Sequence, residues 1–342
     1  MRKRIAVLGT GANGSCTGGD LTQAGFDVSL IDQWPAHVEA MRSNGLTIQM
    51  KTGDIHIPDI KAFHLCDLAT FSHRFDMVFL MVKAYDARWM AELIKPYLAD
   101  NGLLIGAQNS MTADELGDIV GRNRTLGCVV ELSSEIYDPG IIIRNSPPKG
   151  TWFALGALDT AMNHRVSEVE EVLKHVGKVD ISDDIMSAKW MKIVVNSTTM
   201  SIKAMMGMTS SEIFQIDGVR ELMLRAGEEA LTAGQAQGYR RAPIFGLNQK
   251  EVEQSNQLLE MLMDKLNTDI GPTVINAMHQ DHIKGRRTEI DYINGLVCEA
   301  GKKHNIPTPV NDIVVELNKR ISAGELKQER QNLDRALAVL KV

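Results

Sequence analysis

Short apolar runs separated by amphipathic stretches fill the first half of the chain. Residues 5–8, 28–31 and 77–82 are rich in Val, Ile, Leu and Met and are bounded by turn formers, the pattern of strands buried on both faces. Residues 103–105 and 125–130 fit further strands, while 15–24 and 87–98 carry helical spacing. This alternation predicts a parallel sheet covered by helices. Residues 46–58 break it. Two alternating runs flank Lys51-Thr52-Gly53-Asp54 there, which predicts a small hairpin. Residues 141–156, with Pro147, Pro148 and two glycines, read as loop and edge strand.

From about Ser187 the pattern is helical throughout. Residues 187–206, 218–237, 249–266, 288–304 and 311–321 are predicted helices, with no convincing strand among them. The polar Ser182-Asp183-Asp184 stretch marks the boundary, giving domains over 1–183 and 184–342. The 18 methionines sit mostly at helical spacing among other apolar residues and read as core fillers.

A length of 342 residues suits two cores. With 44% hydrophobic and 23% charged residues the chain is globular, not disordered. Its net charge of −6 is spread along the sequence, so neither nucleic acid nor an anionic membrane is expected as partner. Small anionic substrates remain open. The apolar run behind Met-Arg-Lys-Arg is too short for a signal peptide, and 18 apolar residues nowhere run together. A cytoplasmic location is expected. The four cysteines (Cys16, Cys66, Cys128, Cys298) form no CxxC or Cys/His cluster, so buried free thiols are expected, with no metal site.

Gly9-Thr10-Gly11-Ala12-Asn13-Gly14 follows a predicted strand and opens a predicted helix. The first glycine allows the tight turn and the second lets the backbone approach a pyrophosphate. The third allows close helix–strand packing, and the helix N-terminus offers free N–H groups to the anion. The next strand ends in Asp32, 18 positions after Gly14, where an acid can accept from ribose hydroxyls. Gly9, Gly11, Ala12, Asn13, Gly14 and Asp32 are therefore expected to bind a nicotinamide dinucleotide on an N-terminal Rossmann-type doubly wound α/β domain. A carboxylate repels a 2′-phosphate, and no Arg or Lys intervenes before Arg42, so NAD is expected over NADP.

In Ala188-Lys189-Trp190-Met191-Lys192-Ile193-Val194-Val195-Asn196, residues Lys192, Asn196 and Met200 share one helical face. Neighbours this apolar bury the helix, so the Lys192 ammonium must snorkel or meet an anion. Further on, Thr288 and Asp291 have the spacing of a capping box, which would put Glu289 in a first helical turn, where a carboxylate is favoured.

The order of these motifs, closing on Arg286-Arg287-Thr288-Glu289-Ile290-Asp291-Tyr292-Ile293-Asn294-Gly295, resembles the ketopantoate reductase (2-dehydropantoate 2-reductase) family. The likeness covers essentially the whole chain and is densest at 5–14, 81–84, 107–110, 188–196 and 278–295. It implies an NAD(P)-dependent oxidoreductase that reduces a small 2-keto acid, as in pantothenate biosynthesis. By the same likeness Lys192 is the catalytic general acid, and Glu289 anchors the substrate hydroxyl and orients the lysine. Asn196 holds substrate, while Lys83 and Asn109 stand beside the nicotinamide, with Asn109 also within reach of substrate. The chain departs from the family at three places: Met200 replaces a second asparagine, Ala277 replaces a substrate-binding serine, and Asp32 occupies the neighbourhood of a usual arginine. Met200 and Ala277 would line the substrate and favour a less polar keto acid.

An NAD-dependent D-2-hydroxyacid dehydrogenase of the same family, acting on a bulkier keto acid, is the alternative. A non-catalytic dinucleotide sensor is a more distant one, and it leaves Lys192, Asn196 and Glu289 without a purpose. The apolar helices of the second domain permit a homodimer.

Overall fold

The apolar runs of the first half become strands because both faces of their sheet are dry. The computed structural model describes residues 3–254, 257–270 and 273–341. Two units divide the chain, Met1–Met186 and Ser187–Val342. The first carries β1 (Arg4–Leu8), β2 (Asp27–Asp32), β3 (Leu46–Gln49), β4 (Ile55–Ile57), β5 (Ala62–His64) and β6 (Phe75–Leu80). After them come β7 (Leu98–Gly106), β8 (Thr125–Glu131), β9 (Ser134–Ile136), β10 (Ile141–Arg144), β11 (Trp152–Ala157) and β12 (Lys178–Ile181). Its helices are α1 (Ala12–Gln23), α2 (Pro35–Asn44), α3 (Ala84–Ile94), α4 (Ala113–Val120) and α5 (Asn163–Leu173).

Eight strands form the main sheet in the order β12-β11-β8-β7-β6-β1-β2-β5, parallel except where β11 meets β8. Successive residues enter opposite cores: Ile5 and Val7 pack on one face, Ala6 and Leu8 on the other. That is why alternation is absent from these strands. The chain runs outward from β1 through β2 to β5, then returns to place β6 on the other side of β1. The reversal makes a topological switch point at the carboxyl ends of β1 and β6, where open α/β sheets bind ligands.

The predicted hairpin is β3–β4, and it belongs to a second sheet, β4-β3-β10-β9. Helix α1 nests between the two sheets. Side chains at Gly18 and Gly19 would run into Leu30 of β2 and into Ile48 and Ile57 of the small sheet. The wholly buried Arg144 ties this layer to α1 through a 2.6 Å ion pair with Asp20. Its other N–H groups donate to the Ser146 and Val176 carbonyls and to the Thr151 hydroxyl. Burial pushes the Asp20 carboxyl up in pKa, and the Arg144 guanidinium opposes that shift.

Several expectations need correction. Neither strand formed from 141–156 is an edge: β10 lies between β3 and β9, and β11 between β8 and β12. Both prolines fall in the connection and interrupt no ladder. Cys66 is exposed, whereas Cys16, Cys128 and Cys298 are buried; burial drives the Cys16 thiol up to about 12. Among the described residues no helix is long and apolar enough to cross a membrane.

The second unit is built of helices joined by loops, with no strand among its described residues. Helix α6 (Ile185–Met206) leads into it, followed by α7 (Ser210–Ile213), α8 (Val219–Ala236), α9 (Gln249–Gln254) and α10 (Leu258–Ile270). Then come α11 (Ala277–Ile283), α12 (Asn294–His304), α13 (Pro309–Ser322) and α14 (Gln331–Leu337). The predicted helix over 249–266 is thus α9 and α10, with residues 255–256 outside the described ones. A buried polar lattice joins these helices. The Ser201 hydroxyl donates to the Asn294 side-chain oxygen at 2.5 Å, and the Asn294 amide nitrogen donates to the Asn311 side-chain oxygen at 2.9 Å. Glu229 of α8 accepts the Val310 and Asn311 N–H groups at the start of α13. Each buried donor so satisfied avoids a desolvation penalty of about 1–3 kcal/mol.

Candidate active site

The glycine loop is built by three separate constraints. Gly9 turns with φ +92°, a conformation costly for any side chain, and a Cβ there would strike Val82. A Cβ on Gly14 would overlap the Gly9 carbonyl, so the helix can start this close to the strand only with glycine. Gly11 is different. Among the described residues nothing lies within 4 Å of where its Cβ would stand, and no side chain caps α1 at this position. The loop therefore presents open space before a bare helix N-terminus, a setting suited to a pyrophosphate. Ala12 and Asn13 form the first turn, half-buried, and the Asn13 side-chain oxygen Oδ1 accepts from the Ser134 hydroxyl at 2.5 Å.

Asp32, at the end of β2, is more committed than the fingerprint implies. One carboxylate oxygen accepts the Thr10 N–H at 2.5 Å and the Thr10 hydroxyl at 3.1 Å; the other accepts the Trp34 N–H at 2.7 Å. A carboxylate has about four acceptor sites, and these bonds leave one unused. Arg42, the first cation after Asp32, is held by the Ala62 carbonyl, Glu39 and Asp67.

Lys83 and Asn109 stand at the ends of neighbouring strands. Lys83 precedes α3, just beyond β6, and Asn109 follows β7. Gln108 braces that second loop: its amide donates to the Leu80 carbonyl at 2.7 Å and its oxygen accepts from Thr112 at 3.1 Å. The glycine loop, Asp32, Lys83 and Asn109 thus share the carboxyl edge of adjacent strands β2, β1, β6 and β7.

The second group lies on α6. Lys192 and Asn196 are buried, and Met200 is half-buried one turn further on. The Lys192 ammonium lies over the Phe245 ring, 4.9 Å from its centre. The Asn196 amide nitrogen is buried and has no hydrogen-bond partner among the described residues. At the far end Asn276 donates to the Met200 carbonyl at 3.1 Å while its oxygen caps α11 through the His279 N–H. That bond brings Ala277 to the Met200 end of the strip. Lys192, Asn196 and Met200 thus form a row along α6, with the Phe245 ring at its Lys192 end and Asn276, the neighbour of Ala277, bonded at its Met200 end.

Glu289 is buried, but the capping box does not form. Residues 290–292 make a single 3-10 turn and α12 begins only at Asn294. Asp291 turns outward to Lys319 of α13 at 2.6 Å. Asn294 instead docks on α6 through Ser201 and the Ser197 carbonyl, which fixes the Glu289 segment to that helix. Phe245, Gln108 and Asn276, which the sequence did not single out, touch or adjoin these candidate residues. Among the described residues no group of three or more His, Cys, Asp or Glu side chains is placed to hold a metal.

The fold, together with the relatives that share it, identifies an oxidoreductase acting on CH–OH groups with a nicotinamide dinucleotide as cofactor. The ketopantoate reductase PanE/ApbA family model matches residues 5–157, and the model of the family's C-terminal domain matches residues 184–322. The chain belongs to the ketopantoate reductase family. It is 27% identical to the 2-dehydropantoate 2-reductase of Pyrococcus horikoshii, over 92% of this chain and 96% of that one. It is 28% identical to the Mesorhizobium japonicum enzyme of the same name, over 93% and 98%. A D-mandelate dehydrogenase solved with NADH and anilino(oxo)acetate shares the fold, with a TM-score of 0.83 and 20% identity over 94% of this chain and 99% of that one.

Proposed function

We propose that the chain reduces a 2-keto acid to the 2-hydroxy acid, with 2-dehydropantoate as the reference substrate and NADH as the preferred reductant. The observation that carries this is the buried pair on α6: the Lys192 ammonium and, one turn away, the Asn196 amide nitrogen, unpartnered among the described residues. A bound reduced dinucleotide supplies the hydride that the keto carbon takes up. Lys192 holds a proton at Nζ and gives it to the oxygen as that atom becomes an alkoxide, and its charge stabilises the developing anion before transfer. Asn196 donates from Nδ2 to the bound acid, and Glu289 anchors the substrate hydroxyl. The preference for NADH follows from Asp32, whose charge repels a 2′-phosphate, and from Arg42, already taken up by Glu39 and Asp67.

A second reading is favoured by Met200 and Ala277. With no hydrogen-bonding side chain at either position, and with the Phe245 ring at the other end of the row, the site also suits a bulkier, apolar keto acid, as a D-2-hydroxyacid dehydrogenase would take.

Lys192→Ala tests the reaction. Its turnover is expected to fall about 10²–10⁴-fold while NADH still binds; near-normal turnover would remove Lys192 from the chemistry. Assaying 2-dehydropantoate against a branched and an aryl keto acid, each with NADH and with NADPH, decides between the two substrates.

A further inference from the structure

His37 is wholly buried on α2, takes no part in the chemistry above, and is bonded through both ring nitrogens. The Gly140 N–H donates to Nδ1 at 2.9 Å. A nitrogen that accepts holds no proton, so the neutral ring carries its hydrogen on Nε2. Nε2 meets the Ser15 oxygen at 3.0 Å. Ser15 spends its own hydrogen on the Thr10 carbonyl at 2.7 Å, so toward His37 it accepts. The path from His37 through Ser15 to Thr10 therefore runs in one direction.

The Thr10 carbonyl and the Gly11 N–H belong to one planar trans peptide and point opposite ways. Drawing that carbonyl toward Ser15 turns the Gly11 N–H outward, into the space left open beside Gly11. Asp32 clamps the preceding peptide by accepting the Thr10 N–H. We infer that His37 is a positioning residue for the dinucleotide: through Ser15 it fixes the Thr10–Gly11 peptide so that the Gly11 N–H meets the pyrophosphate. This rests on the dinucleotide reading of the loop.

The neutral ring matters. Burial pushes His37 down from the usual histidine range, and Asp32, the charged group acting on it, opposes that shift. The other contacts, Ser15, Gly140, the Thr10 backbone carbonyl and the stacked Trp34 ring, carry no charge, and the Thr10 carbonyl also favours the charged ring. A proton on Nδ1 would confront the Gly140 N–H with a second donor and open the link.

The experiment is NADH titration of Ser15→Ala, His37→Ala and His37→Gln, with the 2-keto acid KM measured at saturating NADH. Ser15→Ala and His37→Ala are each expected to weaken NADH binding about tenfold and to leave the keto-acid KM within about twofold. His37→Gln, whose amide N–H can still reach Ser15, is expected to recover most of the affinity. Wild-type affinity should fall as the pH drops below the usual histidine range, and that fall should be absent in His37→Gln. Unchanged affinity in Ser15→Ala overturns the inference, as does an equal loss of NADH affinity and keto-acid KM, which would mark a structural role. Should His37→Ala fail to fold, Ser15→Ala decides. Wild-type protein that binds neither NADH nor NADPH would overturn the dinucleotide reading, and the relay with it.

Discussion

Phe245 reaches the Lys192 ammonium from a left-handed backbone, with φ at +55° and its ring centre 4.9 Å from Nζ. A bulky residue in that region is strained by about 1–3 kcal/mol, so the surrounding loop must hold it there. Trp190 stacks on Tyr239, and the Arg240 N–H donates to Ser187 at 3.0 Å, which ties the incoming chain to the start of α6. Phe245→Leu keeps apolar bulk and removes the ring face. Its kcat/KM is expected to fall about tenfold, equivalent to about 1.4 kcal/mol of cation–π stabilisation in a desolvated site. Phe245→Tyr should retain most activity. Steady-state kinetics on both variants checks this.

The apolar end of the row sets the second prediction. Met200→Asn combined with Ala277→Ser supplies two hydrogen-bonding side chains where the family usually has them. The ratio of kcat/KM for 2-dehydropantoate over an unhydroxylated keto acid of similar size should rise about 10–100-fold. An unchanged ratio would mean that neither residue faces the substrate.

Gly11 and Gly14 should behave oppositely on substitution. Gly14→Ala forces a methyl group onto the Gly9 carbonyl, and overpacking of this kind costs about 1–3 kcal/mol; a lower Tm and lost NADH binding are expected. Gly11→Ala meets nothing within 4 Å, so its Tm should match the wild type while NADH affinity falls. Thermal melts and titrations on the two variants separate fold from function.

His282 gives stability a pH dependence whose sign follows from its surroundings. The Asn318 amide nitrogen donates to the Ser201 and Val314 carbonyls, leaving its oxygen to accept from His282 Nε2 at 3.0 Å. Burial pushes His282 below its ordinary value of 6.5, against smaller opposing effects of Asn318 and Asp281. The unfolded chain therefore takes up this proton first as the pH falls. The contribution is fully present above about 6.5 and is lost as the pH drops from there toward the folded value. His282→Gln keeps an N–H donor and cannot titrate. In urea melts the wild type should lose stability relative to this variant below about pH 6.5, with a constant difference above it.

The doubly wound half was legible in the sequence because its strands are dry on both faces and its glycine spacing admits few backbones. The long helix α6 was legible for the same reason, being apolar on nearly every side. What escaped depends on distant partners. His37 looks like any residue of an amphipathic helix until Gly140, 103 positions away, donates to its ring. Phe245 belongs to a Pro-Ile-Phe-Gly stretch that gives no hint of a left-handed turn or of Lys192. The capping box at Thr288 was a sound local expectation, defeated when Asp291 found Lys319 and Asn294 found Ser201.

Helix α6 keeps its serine fastenings and its candidate chemistry on separate sides. Ser197 and Ser201 bolt it to Asn294 and Asn318, whereas Lys192, Asn196 and Met200 occupy the face roughly a quarter-turn away. A change at Met200 therefore leaves the bolts untouched. Such a helix lets a lineage retune what it accepts, one side chain at a time, without first having to re-engineer the frame that holds the lysine.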